Sequence, residues 1–187
     1  MLRHPTHPER HLRRILRVAQ DMKELVALLL VLAKDPERLH ATSEVVNIHQ
    51  LLPVIVYDHL FLAERKELAF ELENDSPLVV HAPAQIVRAT IGNLIRNAIE
   101  NSERGIVRIA TTPASQVIIT DPGHGMSEEE LTHLYSRMAR SGMVTHGSGI
   151  GLDLIQRICR HFGWTIEFSS RPKRGTCVVL DFKARPA

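Results

Sequence analysis

The stretch "NLIRNAIENS", residues 93–102, has the spacing of a buried helix and carries polar residues where such a helix has few. Leu94, Ile95, Ala98 and Ile99 suit an apolar stripe, while Asn93, Asn97 and Asn101 recur every fourth residue along the same helix. Asparagine is a poor helix former because its amide competes for backbone groups, and a buried amide left unpaired costs roughly 1–3 kcal/mol. Three such amides imply a polar object for them to face.

Outward from this helix, which Pro83 opens, the chain interleaves strands and helices. Upstream, "EVVNIH" (44–49) reads as a strand, 49–63 as a helix with Pro53 in its first turn, and 67–73 and 78–81 as strands. Downstream, "GIVRIATT" (105–112) and "SQVIITD" (115–121) pair like a hairpin. "SEEELTHLYSRMARSG" (127–142) starts a helix with a Ser cap and an acidic first turn; another helix spans about 149–162, and strands "WTIEFSS" (164–170) and "TCVVLDF" (176–182) follow. Without strict βαβ alternation, this order predicts an α/β two-layer sandwich, a mixed sheet with helices on one face.

Ahead of it, residues 9–34 read as one long helix whose Leu12, Ile15, Ala19, Met22, Val26, Leu29 and Ala33 form a heptad seam. Pro36 in "KDPER" (34–38) stops that helix, so the expected division is an N-terminal helix over 1–38 and a second domain over 39–187. Lys and Arg total 23 against 21 acids, a near balance that excludes an electrostatic case for nucleic acid. Cys159 and Cys177 lack metal or disulfide spacing, which suits a reducing compartment. The longest apolar run, 25–33, is about half a bilayer span, and Met1 is not followed by a signal core. A cytoplasmic protein, or a cytoplasmic piece of something larger, without direct membrane contact is expected.

Two further signals follow the amide helix: "DPGHGM" at 121–126 and "GSGIGL" at 147–152. The second opens straight into an amphipathic helix, where glycines let backbone amides approach a phosphate that the helix dipole favours. No GxxxxGK[ST] is present, so this is not a Walker cradle. Together the three describe a nucleotide site. Asp121, ending a buried strand, can accept the exocyclic amine of a purine, while Gly123 and Gly125 let the base lie against backbone. Amide oxygens of residues 93–101 can complete a magnesium shell, since that hard cation takes oxygen ligands. Gly147 to Gly151 offer phosphate donors. Residues 127–146, with Arg137, Arg140, Ser141 and Gly142 and few large core residues, suit a lid.

This order of motifs resembles the catalytic and ATP-binding domain of sensor histidine kinases, within the Bergerat-type superfamily shared with gyrase, Hsp90 and MutL. "NLIRNAIENS" is similar to its N box, "DPGHGM" and "GSGIGL" to its two glycine boxes, and "RGTCVVLDF" to its terminal strand. The resemblance implies ATP and Mg2+ as cofactors, with Asn97 ligating the metal and Asn93 beside it in the same shell. It implies a nucleotide pocket from Asn101, Asp121, Gly123, Gly125, Met126 and Thr176. The triphosphate would lie along Gly147, Ser148, Gly149, Ile150, Gly151 and Leu152, with Arg140 reaching the phosphates. Residues 9–34 resemble the second helix of the dimerisation and phosphoacceptor hairpin, which implies homodimerisation through that helix, an acceptor on the chain's own upstream helix and a response regulator as partner.

Departures sharpen the expectation. Hydrolases of the superfamily place a glutamate at the position of Asn93, which cannot act as a base, so transfer is favoured over hydrolysis. Many kinases carry a lysine at the position of Glu100 and an aromatic at that of Asn101, and phenylalanines are common where Leu134, Tyr135 and Met138 stand. None of His4, His7 or His11 is followed by the acidic residue and proline of an acceptor site. The expected function is therefore a kinase core whose acceptor histidine lies upstream of Met1. The alternatives are a nucleotide-binding regulatory module without transfer and a related protein-serine kinase.

Overall fold

The computed structural model describes residues 44–139 and 150–183; the helix expected at 9–34 lies outside them. The element order is β1 (Glu44–Asn47), α1 (Ile48–Ala63), a 3-10 turn (Glu64–Lys66), β2 (Leu68–Glu73), β3 (Val79–Ala82), α2 (Ala84–Glu100), β4 (Gly105–Thr112), β5 (Gln116–Asp121), α3 (Glu128–Ala139), α4 (Ile150–Phe162), β6 (Thr165–Ser170) and β7 (Thr176–Asp181). Five strands form one sheet in the order β2-β4-β5-β7-β6. Its β2–β4 pair is parallel and the other three pairs are antiparallel, so the sheet is mixed, as the alternation of elements predicts. The expected hairpin of β4 and β5 is present.

The period of two along the strands decides which face is covered. Val107 and Ile109 of β4, Val117 and Ile119 of β5, and Val178 and Leu180 of β7 are buried. Helices α1, α2 and α4 bring Ile55, Ile91, Leu94, Ile95, Ile155 and Ile158 into the same core, and α2 packs against both α1 and α4. Fully burying an aliphatic side chain of this size contributes about 1.5–3 kcal/mol, so α2, with nine buried residues, is the best anchored of the helices. Among the described residues no helix is long and apolar enough to cross a membrane.

Two local readings of the sequence need correction. The strand expected over 44–49 ends at Asn47, whose Oδ1 accepts from the Gln50 backbone N–H at 3.3 Å and so caps α1. Strands β1 and β3 also stay out of the main sheet and pair only with each other. Pro53 consequently falls in the second turn of α1, where its missing N–H leaves the His49 carbonyl without the usual helical donor. Asn74 Nδ2 donates to that carbonyl at 2.6 Å, which compensates for the proline.

The far end of α2 is closed from a distance. Lys66 Nζ donates to the carbonyls of Ile99 (2.9 Å), Glu100 (2.8 Å) and Ser102 (3.0 Å), so all three ammonium protons meet the negative end of the helix that carries Asn97. Lys66→Met keeps most of the side-chain volume and removes the three donors. It is expected to lower the unfolding free energy by about 1.5–3 kcal/mol, the range for charge-assisted hydrogen bonds, as measured by urea denaturation.

Candidate functional site

The C-terminal half of α2, the loop after β5, the lengths of α3 and the start of α4, and the ends of β6 and β7 surround a cavity of about 730 Å³. Asp121, the last residue of β5, stands at its floor with 6% exposure. Its Oδ1 accepts from the backbone N–H of Gly123 at 2.8 Å and of Thr176 at 3.2 Å. No donor among the described residues is recorded on its other oxygen. Burial pushes the Asp121 carboxyl above its ordinary range, against the opposing pull of the Gly123 and Thr176 bonds and of nearby His124.

The glycines around this carboxylate are there for closeness. A Cβ on Gly123 would collide with the Asn101 carbonyl and with Asp121 Oδ1. Gly125, at φ +66°, backs onto the carbonyl of Arg171 in the same way. Met126 lines the cavity, and its backbone N–H donates to Ser170 Oγ at 2.8 Å. Ser170 Oγ in turn bonds the Gly175 carbonyl at 2.9 Å and Thr176 Oγ1 at 3.0 Å, tying the glycine loop to the β6–β7 turn.

The three asparagines do not form one row. An α-helix turns 100° per residue, so a spacing of four drifts by about 40° each step, and the three amides end up doing different things. Asn97 lines the cavity; its Nδ2 donates to Asn93 Oδ1 at 3.4 Å, which leaves its own amide oxygen to other partners. Asn93 is not part of the cavity wall and instead lies under Gly151, where an added Cβ would stand 2.6 Å from Asn93 Oδ1. Asn101 caps α2 by donating from Nδ2 to the Asn97 carbonyl at 2.8 Å, and its Oδ1 faces His124 Nε2 at 3.2 Å.

Of the other expected positions, Gly151, Leu152 and Thr176 line the cavity, and Ile150 begins α4. Arg140, Gly147, Ser148 and Gly149 lie outside the described residues. Arg137 lines the cavity from α3 and faces Asp153 of α4 at 3.7 Å. Leu94, Leu134, Phe168 and Val178 supply an apolar wall suited to a flat ring. The sequence does not single out His124, Ser170 or Lys66: His124 is a spacer inside a motif, Ser170 joins its own turn to the distant Met126, and the partners of Lys66 are all remote in sequence.

Among the described residues no group of three His, Cys, Asp or Glu side chains could hold a metal. A magnesium ion is compatible with what is there, because it keeps waters and is commonly held by few protein oxygens together with phosphates. The amide oxygen of Asn97, which lines the cavity, could provide one such ligand.

Residues 83–186 match the family described as histidine kinase-, DNA gyrase B-, and HSP90-like ATPases. The chain belongs to this ATPase family. The sensor histidine kinase YkoH of Bacillus subtilis is 28% identical over 170 residues, covering 88% of this chain and 37% of that protein. The sensor protein QseC of Salmonella typhimurium is 29% identical over 139 residues, covering 73% of this chain and 31% of that protein. The chain thus spans about a third of the length of these curated relatives. The fold agrees with that of the Acinetobacter baumannii histidine kinase AdeS, with a TM-score of 0.69 at 17% identity over 100% of this chain and 88% of that one. As a member of an ATPase family, the chain has ATP as the ligand to weigh against its cavity.

Because burial raises Asp121 in the folded state above its unfolded value, protonation favours folding: stability rises as the pH falls through that interval, and the ionised carboxylate costs stability above it. Asp121→Asn keeps an Oδ1 for both backbone donors. It is expected to match or exceed the parent in urea unfolding at pH 7 and to lose the corresponding part of the pH dependence, while ATP binding falls.

Proposed function

We propose that this chain is the ATP-binding catalytic core of a two-component sensor histidine kinase, transferring the γ-phosphoryl group of Mg-ATP to a histidine that the chain does not itself contain. The observation that carries the reading is the buried Asp121 carboxylate, one oxygen saturated by Gly123 and Thr176, at the floor of a cavity whose wall presents the amide of Asn97. A fixed anionic acceptor in an apolar pocket suits the exocyclic amine of adenine, and Met126, Leu94 and Phe168 suit its ring.

In this reading Asn97 offers its amide oxygen to magnesium and Asn93 orients it through the hydrogen bond between the two. Bound with the nucleotide, the ion would neutralise phosphate charge. Gly147, Ser148, Gly149, Ile150 and Gly151 approach the triphosphate with backbone donors at the start of α4, the positive end of its dipole. Leu152 and Thr176 border the pocket, Asn101 closes its rim, and Arg140 reaches the phosphates from the lid. Phosphoryl transfer is largely positioning and charge neutralisation, so these residues can carry it without a covalent step on the protein. Asn93, an amide at the position of a hydrolase's glutamate, has no basic oxygen with which to activate water, which favours transfer to a protein acceptor.

In this reading the acceptor belongs to the chain's own upstream helix, residues 9–34 pair with it in a homodimeric hairpin within the 1–38 segment, and residues 39–187 form the catalytic domain. A response regulator receives the phosphoryl group, and the assembly works in the cytoplasm. A second reading, a nucleotide-binding module without transfer, is favoured by one feature: Glu100 lines the cavity and puts a negative charge near a triphosphate.

Labelled γ-phosphate followed in the presence of an added hairpin bearing the acceptor histidine separates the two. Acid-labile label on the hairpin is expected, and ATP binding without label would support the silent module. Asn97→Asp or Asn97→Ala is expected to weaken magnesium-dependent ATP binding by about tenfold or more, the scale seen when a metal site is disturbed. Unchanged binding in a titration calorimeter would remove Asn97 from the site.

A further inference from the structure

Strand β6 is an edge of the five-stranded sheet: among the described residues it pairs with β7 and has no strand on its other side. An edge strand leaves every second residue with its N–H and C=O turned outward and unpaired. At Phe168 both of these groups meet one side chain of α3. The Phe168 N–H donates to Tyr135 Oη at 2.8 Å, and the Tyr135 hydroxyl donates to the Phe168 carbonyl at 3.0 Å. A hydroxyl carries a proton and two lone pairs, so a single phenol can serve both groups at once. The two rings also meet edge to face, with centroids 6.4 Å apart and an interplanar angle of 78°.

Because the Phe168 backbone faces Tyr135, Phe168 and its neighbour Val178 on β7 form a pair without mutual hydrogen bonds, the closer of the two antiparallel spacings. Both are buried, and both line the cavity. Tyr135 itself is 40% exposed and is not part of the cavity wall, whereas Leu134 beside it is. Helix α3 buries Leu134 and Met138, so its seat depends on side-chain ties as well as on apolar packing. Near its C-terminal end two ties lead to α4: Arg160 Nη2 donates to the Met138 carbonyl at 3.0 Å, and Arg137 faces Asp153 at 3.7 Å. Tyr135 ties the helix to the sheet instead.

We propose that Tyr135 is a positioning residue of the nucleotide cavity: its hydroxyl locks the Phe168 backbone to α3 and so fixes the spacing between the apolar walls that hold the base. This role rests on the nucleotide reading of the cavity and concerns its base end. The ties from α3 to α4 lie apart from it, in the first turn of α4 at Asp153 and further along at Arg160, and do not depend on the hydroxyl. Phenylalanine in place of Tyr135 keeps the ring and leaves the Phe168 N–H and C=O without their partner, so the two walls lose their fixed spacing.

The test titrates ATP and ADP, each with and without magnesium, into the whole chain and into Tyr135→Phe. The variant is expected to bind both nucleotides about fivefold more weakly, the scale of one hydrogen bond, with the ratio of affinities with and without magnesium unchanged. In a Phe168→Leu background the same substitution is expected to cost less than about twofold, because the side chain it positions is gone. Affinity equal to the parent's overturns the proposal whatever the variant's stability to urea, since a merely structural tyrosine gives that result. A loss confined to ATP, a changed magnesium ratio, or a fivefold loss that persists in the Phe168→Leu background overturns it too. The parent alone supplies a second check: hydrogen exchange is expected to find the Phe168 amide protected, and exchange at the rate of an open amide overturns the proposal. Absence of ATP and ADP binding by the parent overturns the nucleotide reading together with the proposal, whereas binding that Tyr135→Phe leaves unchanged overturns the proposal alone.

Discussion

The cavity depends on one buried carboxylate and the two backbone N–H groups that hold it. Asp121 closes β5, and the register of the sheet sets it opposite Thr176, the first residue of β7. Bonds from Thr176 and from Gly123 to the same oxygen therefore knot two strands and a loop at one point. Desolvating an ionised carboxyl is costly, and these bonds offset part of that cost without removing it, as the upward push on Asp121 records. A purely structural role would be met better by a neutral amide. A ligand that pairs with the carboxylate would give it a use that structure alone does not, and the surrounding glycines let the backbone close tightly over it.

Much of the architecture can be read from periodicity. The apolar positions of α2 and the alternation in β4, β5 and β7 place the core correctly because these elements are long enough to show their period. Four-residue strands such as β1 and β3 carry too little pattern to say which sheet they join, and they form their own ribbon. The start of α1 is hard to read for a related reason: Asn47 is both the end of a strand and a helix cap, and Pro53 disguises the second turn of a helix that Asn74 repairs from outside.

The site divides along the same line. The short spacing of Asp121, Gly123 and Gly125 has a physical meaning that can be read locally, whereas Thr176 enters through the family resemblance alone. Residues that act through distant backbone are not legible: nothing near Lys66 announces that its ammonium ends on carbonyls some 33 to 36 positions later. The asparagine row misleads for a geometric reason. Equal spacing along a helix is not equal direction, and the drift turns Asn93 towards Gly151, leaves Asn97 in the cavity wall and makes Asn101 a cap. Family membership adds ATP to this picture, while the roles of single residues rest on the chemistry of the cavity.

The central claim is that the cavity above Asp121 is an adenine nucleotide site with its metal at Asn97. A crystal structure of the chain with a non-hydrolysable ATP analogue and magnesium tests it most directly. The account predicts the adenine amine within hydrogen-bond distance of the Asp121 oxygen not used by Gly123 and Thr176, and the ion on the amide oxygen of Asn97. A nucleotide seated elsewhere, or one whose base avoids Asp121, would contradict it.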